Sequence, residues 1–304
     1  MEKAASGWIN GFIGVAIFAG SLPATRAAVA DFDPIFLTCA RASFAGLLGL
    51  TLLLVLRQRR PAFAHLVPLA MTASGVVVGF PLLTALALRH VTSAHSVVFV
   101  GLLPLCTAIF GVLRGGERPR PVFWVFSICG AALIAGYAAI SSAGGSAQGD
   151  LLMLAAIIVC GMGYAEGARL SRILGGWQVI SWALVLALPV MVPTALVTMP
   201  ASFDHVSRAG WLGLAYVSVL SMLIGFVFWY RGLAQGGIAA VGQLQLVQPF
   251  MGLALAALLL RETVNWTMLL VTLAAVVCVA GSKRYAAPAQ GKLQASILTE
   301  RKAT

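Results

Sequence analysis

The amino-acid sequence predicts an all-α integral membrane protein with ten transmembrane helices, arranged as two inverted five-helix repeats. Three observations carry the prediction: an apolar composition, ten apolar runs of bilayer-crossing length, and a weak internal repeat. Of the 304 residues, 60% are hydrophobic and 10% are charged, whereas about 25% of the residues in soluble domains are charged. So few charges cannot cover this much apolar side chain, which excludes a soluble enzyme and a disordered chain.

A helix needs about 20 apolar residues to cross a bilayer, and ten runs of this chain approach or exceed that length. Turn-forming residues separate several of the runs, such as Asp31 to Pro34 and Arg57 to Pro61. In chain order, we place spans one to ten at residues 8–29, 35–56, 64–88, 93–113, 121–140, 150–170, 177–199, 209–231, 237–260 and 264–282.

The basic residues predict how the chain is oriented in the membrane. If the N-terminus is cytoplasmic, 15 of the 20 Lys and Arg residues lie in cytoplasmic segments, four lie on the opposite side, and Arg41 lies inside span two. Lys and Arg concentrate in the cytoplasmic loops of membrane proteins, so both termini are expected to be cytoplasmic. Because these residues are scattered at the ends of apolar runs, the net charge of +11 does not indicate nucleic-acid binding.

A weak repeat relates the two halves of the chain. Four residues recur at a constant offset of 145: Ala94, Pro104, Glu117 and Gly136 correspond to Ala239, Pro249, Glu262 and Gly281. The pair Gly79-Phe80 likewise matches Gly225-Phe226 at an offset of 146. Each copy holds five spans, and an odd number requires the second copy to enter the membrane upside down.

The repeat divides the chain into a first unit at 8–140, a second unit at 150–282 and a basic cytoplasmic tail at 283–304. Inverted repeats allow alternating access, because they place two similar half-gates on opposite faces of the membrane. A transporter is therefore the favoured class. A membrane enzyme would need clustered catalytic residues, and a channel would need a filter motif or a ring of charge; the sequence shows neither.

Several of these residues also mark a family resemblance. Pro34 followed by Cys39 to Ala45 in span two, together with Pro104, Glu117 and their copies, makes the chain resemble the EamA-type members of the drug/metabolite transporter superfamily. Within that superfamily the chain is most similar to bacterial amino-acid exporters of the YddG kind. The resemblance implies a protein of the bacterial inner membrane, with a cavity lined by spans one to four and six to nine and with spans five and ten at the periphery.

Span nine carries three amide side chains in an otherwise apolar helix, Gln243, Gln245 and Gln248. An amide that faced lipid without a hydrogen bond would cost several kcal/mol, so these side chains must face protein or water. Substrate binding in a wet cavity is the favoured interpretation, because the resemblance places span nine at the cavity. Hydrogen bonding between helices is the alternative.

Aromatic side chains are the second set of candidates for the cavity wall: Phe80, Phe99, Tyr164, Trp182, Trp229 and Tyr230. All of them lie on spans that the resemblance places around the cavity. Packing in the core or against lipid is the alternative for each of them. Phe80 is favoured, since both copies of the repeat preserve its Gly-Phe pair.

Ionisable side chains inside a bilayer are costly and therefore become candidates for function. Glu166 in span six and His95 at the start of span four are candidates for proton coupling. Arg169 lies three residues from Glu166, so an i,i+3 ion pair is the favoured interpretation for that carboxylate and proton coupling is the alternative. An interfacial histidine without a role is the alternative for His95. Arg41 is expected to anchor span two or to bond to backbone carbonyls, a structural role that the resemblance supports.

Pro104 and Pro249 occupy symmetric positions within spans four and nine. A proline inside a helix removes a backbone hydrogen bond and bends the helix. Two such bends at opposite gates would suit hinges for alternating access. A fixed kink that serves packing alone is the alternative.

The sequence thus predicts a monomeric transporter in the lipid bilayer that exports small zwitterions, namely amino acids, aromatic and broader, by alternating access. Exporters of drugs or other small organic solutes are the alternative. The five cysteines lie in apolar runs without metal-ligand spacing, so no metal or cofactor is expected. Span one has no acidic residue, unlike the first helix of the small multidrug members of the superfamily, so their glutamate-based proton exchange is not expected. A facilitator without an energy source and proton coupling through Glu166 or His95 are the two alternatives.

Overall fold

The computed structural model describes residues 2–115, 120–142, 146–236 and 241–285, and this part of the chain contains helices and no strands. Six helical stretches are long and apolar enough to cross a membrane: Ser6–Val29, Pro34–Val55, Phe63–Ala87, Ala147–Leu174, Gly176–Val197 and Arg208–Leu233. Four shorter apolar helices complete the series: Ser93–Thr107, Trp124–Ile134, Leu244–Leu260 and Trp266–Cys278. In chain order they correspond to the ten predicted spans, so the predicted fold class is confirmed.

Several spans consist of more than one helical segment. In the first half, the segments are Glu2–Ala19 and Ser21–Val29 (span one), Pro34–Val55 (two), Phe63–Thr72, Ala73–Gly79 and Phe80–Ala87 (three), Ser93–Val100 and Leu103–Gly115 (four), and Pro121–Ser142 (five). In the second half, they are Ala147–Leu174 (six), Gly176–Val197 (seven), Arg208–Ala215, Tyr216–Gly225 and Phe226–Gly236 (eight), Gly242–Leu246 and Gln248–Leu260 (nine), and Trp266–Tyr285 (ten).

Polar side chains fix where several helices begin. The Asp33 carboxylate accepts hydrogen bonds from the backbone N–H groups of Ile35 at 2.8 Å and Phe36 at 3.3 Å, and Pro34 is the first residue of span two. A side-chain acceptor before the first turn and a proline within it are the usual signals of a helix start. Span six begins in the same way, because the Ser146 hydroxyl accepts from the backbone N–H of Gly149 at 3.2 Å.

The helix packing follows the two-repeat pattern. Span two packs against span seven, span four against span nine, and span five against span ten. Span one packs against span eight, and span three packs against span six. If each span is replaced by its counterpart in the other repeat, the same five pairs result. This is expected when two copies of one five-helix unit form the fold. Spans five and ten lie together, away from the central pairs.

Matching irregularities confirm the internal repeat. Spans three and eight each contain a π-helical stretch, Ala73–Gly79 and Tyr216–Gly225, and in both the α-helix resumes at the phenylalanine of the repeated Gly-Phe pair. π-helical turns are rare and occur frequently at functional sites. They place Phe80 and Phe226 at equivalent points of the two repeats.

The structure corrects the expected geometry at Pro104 and Pro249. Spans four and nine are interrupted, and their second segments begin at Leu103 and Gln248, again 145 residues apart. Each proline is the second residue of its segment, in the first turn rather than in the interior of a continuous helix. A first-turn residue has no intrahelical acceptor for its N–H, so proline is tolerated there and helps to start a helix. Whether these breaks act as hinges remains a prediction.

Glycines allow the closest helix contacts. A Cβ added to Gly75 in span three would lie 2.5 Å from the Val159 carbonyl oxygen of span six. One added to Gly14 in span one would lie 2.9 Å from the Trp229 backbone nitrogen of span eight. Small residues commonly serve this purpose between membrane helices, where van der Waals contact drives association.

Candidate functional site

A cavity lies at the centre of the bundle, between the two repeats. Its wall is formed by side chains from spans one, two, three, four, six, eight and nine. The cavity volume is about 30 Å³, which is room for one or two water molecules and too little for an amino acid. The expectation of a cavity lined by spans one to four and six to nine therefore holds for every span except seven, which contributes no lining residue.

Aromatic rings form one side of this cavity. Phe18, Phe80, Tyr164 and Phe226 all line it. The Phe18 ring centroid lies 4.9 Å from that of Phe226 and 6.4 Å from that of Tyr164. The Trp229 ring packs behind them, 6.2 Å from Tyr164. Phe80 and Phe226 directly follow the two π-helical stretches, so the repeat supplies one aromatic side chain from each copy.

Polar groups face the same space. The hydroxyl groups of Ser21 in span one and Ser221 in span eight lie 2.7 Å apart, which joins the two repeats at the cavity wall. Gln248, the first residue of the second segment of span nine, also lines the cavity and is buried. Its side-chain oxygen has no hydrogen-bond partner within the described part of the chain. An amide with free hydrogen-bonding capacity here is available to a solute.

Arg41 brings a charge to the cavity wall. The residue is 4% exposed, and none of the ion pairs formed among the described residues involves it. Its Nε atom has no hydrogen-bond partner in this part of the chain. The sequence predicts an anchor of span two or a bond to carbonyls; the structure adds that the side chain lines the cavity, and the anchoring role stays a prediction.

The candidate residues separate into groups. Phe80, Tyr164 and Gln248 line the cavity, and Trp229 contacts its aromatic wall. Gln245 is buried in the short segment Gly242–Leu246. Its side-chain nitrogen has no hydrogen-bond partner among the described residues, and the residue does not line the cavity.

The remaining candidates lie elsewhere. Trp182 is half-buried against the core outside the cavity, and Phe99 packs 5.7 Å from the His95 ring. The side chains of Gln243 and Pro104 lie outside the described residues. The lining residues that were not among the candidates predicted from the sequence include Phe18, Ser21, Ser221 and Phe226. Of these four, only Phe226 had a sequence signal, because it belongs to the repeated Gly-Phe pair.

His95 belongs to a buried polar cluster at one end of the bundle. Its Nε2 atom lies 2.5 Å from an Asp150 carboxylate oxygen of span six, and its Nδ1 atom lies 2.9 Å from the Tyr137 hydroxyl of span five. The sequence pattern indicated the histidine but neither of its partners. Asp150 gave a weak signal as the first acidic residue of span six, whereas Tyr137 gave none.

Glu166 forms the ion pair that its spacing from Arg169 predicts. The carboxylate is 1% exposed and lies 3.3 Å from the Arg169 guanidinium, one turn along the same helix. It does not line the cavity. The geometry is that of an intrahelical ion pair.

Glu262 connects the two repeats at the same end as His95. Its carboxylate accepts hydrogen bonds from the Ser93 backbone N–H at 3.1 Å, the Ser93 hydroxyl at 2.8 Å and the Ala94 backbone N–H at 2.7 Å. The side chain therefore caps span four from the segment that links spans nine and ten. Its repeat copy, Glu117, lies outside the described residues.

A wider depression opens at this end of the bundle. Its volume is about 550 Å³, and its wall includes Arg26, Arg89, Thr92 and Glu262. Arg26 lies one turn along span one from Leu22, which lines the central cavity. The Arg26 guanidinium also donates a hydrogen bond to the Leu88 carbonyl.

Two five-helix repeats around a shared central cavity define a membrane transporter rather than an enzyme. Comparison with known proteins agrees with this class. The model of the EamA-like transporter family matches residues 5–140 and again residues 147–282, so the chain belongs to that family.

A relative and a solved structure extend the comparison. The chain is 64% identical over 286 residues to the protein named "Uncharacterized transporter YdeK" of Bacillus subtilis (strain 168), covering 94% of this chain and 100% of that protein. A solved crystal structure of a protein with 18% identity aligns with a TM-score of 0.64, covering 91% of this chain and 97% of its own, and supports the fold. The resemblance to the EamA type is thereby confirmed.

Proposed function

We propose that this transporter exports amino acids, aromatic ones among them, across the bacterial inner (plasma) membrane by alternating access. One observation carries the proposal: the cavity shared by the two repeats combines aromatic rings with an amide, hydroxyl groups and one guanidinium. A zwitterion with a variable side chain needs both kinds of wall, because its charged end requires polar partners and its side chain requires apolar ones.

The rival solutes fit this wall less well. Phosphorylated metabolites are recognised by several Lys or Arg side chains, whereas Arg41 is the single basic residue among the described lining residues. Cationic drugs would require an acidic group to offset their charge, and the described lining residues include none. The wall therefore favours a solute whose net charge is zero or negative.

Transport requires the closed cavity to open at one end of the bundle. With a volume of about 30 Å³ the cavity is too tight for its substrate, so the repeats must move apart at one end to load it. At the end that holds Glu262, the contacts to Ser93 and Ala94 hold the link between spans nine and ten against span four. We assign this end to the outer gate, in line with termini in the cytoplasm, and expect a monomer to suffice.

We assign proton coupling to His95 rather than to Glu166. Histidine is the side chain that most readily changes charge near neutral pH. His95 contacts Asp150 from span six and Tyr137 from span five, and Glu262 caps the helix turn that carries it. A charge change here would act on three spans at the outer gate. In His95→Asn, uptake should stop responding to a pH gradient while exchange across the membrane continues; a preserved response would contradict the assignment.

The proposed function is tested with purified protein in liposomes. Vesicles preloaded with unlabelled phenylalanine should accumulate labelled phenylalanine by exchange, and a panel of labelled amino acids should define the range. Protein-free liposomes and vesicles with a collapsed gradient are the controls. Exchange of drugs or sugars without exchange of any amino acid would contradict the proposal.

A further inference from the structure

The charge on Arg41 is unusual for its location. The residue lies in span two at 4% exposure, and its side chain reaches the central cavity. A buried charge is costly unless a counter-charge or hydrogen bonds compensate it. Arg41 forms none of the ion pairs among the described residues, and its Nε atom has no partner there. The described part of the chain thus supplies no acidic partner for this buried arginine.

The charge is also asymmetric between the repeats. Span seven packs against span two in the two-repeat arrangement, yet its helix Gly176–Val197 carries no charged residue. A structural anchor required by the fold of each repeat would be expected in both copies. The cavity therefore carries one positive charge, from the first repeat, that the two-repeat architecture does not require.

We infer that Arg41 binds the carboxylate of the transported solute, an inference that rests on the proposed function. A guanidinium presents a planar fork of N–H donors that matches the two oxygens of a carboxylate, so the pair forms two parallel hydrogen bonds. The substrate carboxylate then supplies the counter-charge that the described residues do not provide. Substrates are therefore α-amino acids and related carboxylates, and their amides and decarboxylated amines are excluded.

The surrounding wall orients the rest of the substrate. Gln248 offers an unpartnered side-chain oxygen to the ammonium group, and the paired hydroxyls of Ser21 and Ser221 lie on the same wall. The rings of Phe18 and Phe226 accept an apolar side chain without fixing its shape. Arg41 thus sets the class of solute, whereas the aromatic wall tolerates variation within that class.

The test compares solutes that differ only in the carboxylate. Phenylalanine, phenylalaninamide and phenethylamine share the ring and the amine. In wild-type proteoliposomes, phenylalanine should compete for labelled phenylalanine at concentrations at least about tenfold lower than the other two, as loss of a charged hydrogen-bonded pair requires. In Arg41→Gln, this difference should fall to within about twofold, because the glutamine keeps hydrogen bonds but loses the charge.

Two further variants separate binding from folding. Arg26→Gln removes an arginine that bonds to the Leu88 carbonyl outside the cavity, so it should keep the preference of the wild type. Arg41→Lys keeps the charge without the fork, so its affinity for phenylalanine should fall while its affinities for the amide and the amine do not, which leaves a reduced preference for phenylalanine. If Arg41→Gln fails to fold, the Arg41→Lys variant provides the test. An unchanged affinity for phenylalanine would overturn the inference, and a loss of affinity confined to solutes with a carboxylate would support it.

The outcomes distinguish the two proposals. Wild-type protein that exchanges no amino acid would overturn the proposed function and the inference with it. Wild-type protein that exchanges phenylalanine, combined with an undiminished preference over phenylalaninamide in Arg41→Gln, would overturn the role of Arg41 alone. Melting temperatures of all variants, measured with and without phenylalanine, give a second readout. Phenylalanine should stabilise the wild type and should not stabilise Arg41→Gln.

Discussion

Removal of the Glu262 side chain is expected to loosen span four at its first turn. The first backbone N–H groups of a helix have no acceptor within the helix. In span four, Glu262 accepts from the N–H groups of Ser93 and Ala94, and the Thr92 hydroxyl accepts from the N–H of His95 at 3.2 Å. Glu262→Ala leaves two of these donors, and the Ser93 hydroxyl, without their partner.

The magnitude follows from these contacts. A hydrogen bond to a charged group contributes about 1.5–3 kcal/mol, and a carboxylate at a helix N-terminus adds about 0.3–1 kcal/mol through the helix dipole. Glu262 is half-buried, so water replaces part of the loss. We therefore expect Glu262→Ala to lower the free energy of unfolding by about 2–3 kcal/mol, and Thr92→Ala, which loses one cap bond, by about 1 kcal/mol.

Thermal unfolding in detergent, followed by intrinsic fluorescence, measures the effect. A loss of 1 kcal/mol lowers the melting temperature of a chain of 150–250 residues by about 2–4 °C. For this longer chain of 304 residues the lower end, about 2 °C per kcal/mol, applies, so Glu262→Ala should melt roughly 4–6 °C lower. Asp204→Ala, which removes an exposed carboxylate from the loop after span seven, is the matched control and should change little. Equal melting temperatures for Glu262→Ala and the wild type would refute the capping role.

Gly163→Val should prevent the close packing of spans three and six, since an added Cβ already lies 2.8 Å from a side chain of span three; the yield of monodisperse protein in size-exclusion chromatography would show it. Gln248→Leu should reduce phenylalanine exchange at least about fivefold with little change in melting temperature, and a parallel loss of both would identify a structural amide. Pro104→Ala and Pro249→Ala should shift the accessibility of a cavity cysteine toward opposite membrane faces, because alanine permits the two segments to join; shifts of one sign would indicate static breaks. A cysteine at Ser202, in the exposed loop after span seven, should react with an impermeant thiol reagent added outside intact cells, and labelling only after lysis would reverse the orientation.

The class of the protein and its internal symmetry can be predicted from the amino-acid sequence alone. Span number and helical class follow from the length of apolar runs relative to the bilayer, a property that can be read along one dimension. The repeated Gly79-Phe80 and Gly225-Phe226 pairs predicted equivalent positions, and both mark the end of a π-helical stretch. The family resemblance rested on the same residues and is confirmed.

Which side chains contact one another depends on the tertiary structure. In a soluble protein the apolar face of a helix points inward, but in a membrane both lipid and protein interior are apolar, so the pattern does not reveal the buried face. Arg41 was therefore expected to be an anchor and proved to line the cavity, whereas Trp182 was expected at the cavity and packs elsewhere.

Contacts between distant residues had no local signal either. His95 and Asp150 are 55 positions apart, and Ser93 and Glu262 are 169 apart. Such pairs form only because the two repeats pack with spans four, six and nine side by side. Helix propensity and hydropathy depend on each segment alone, whereas these polar contacts depend on how the segments are placed relative to one another.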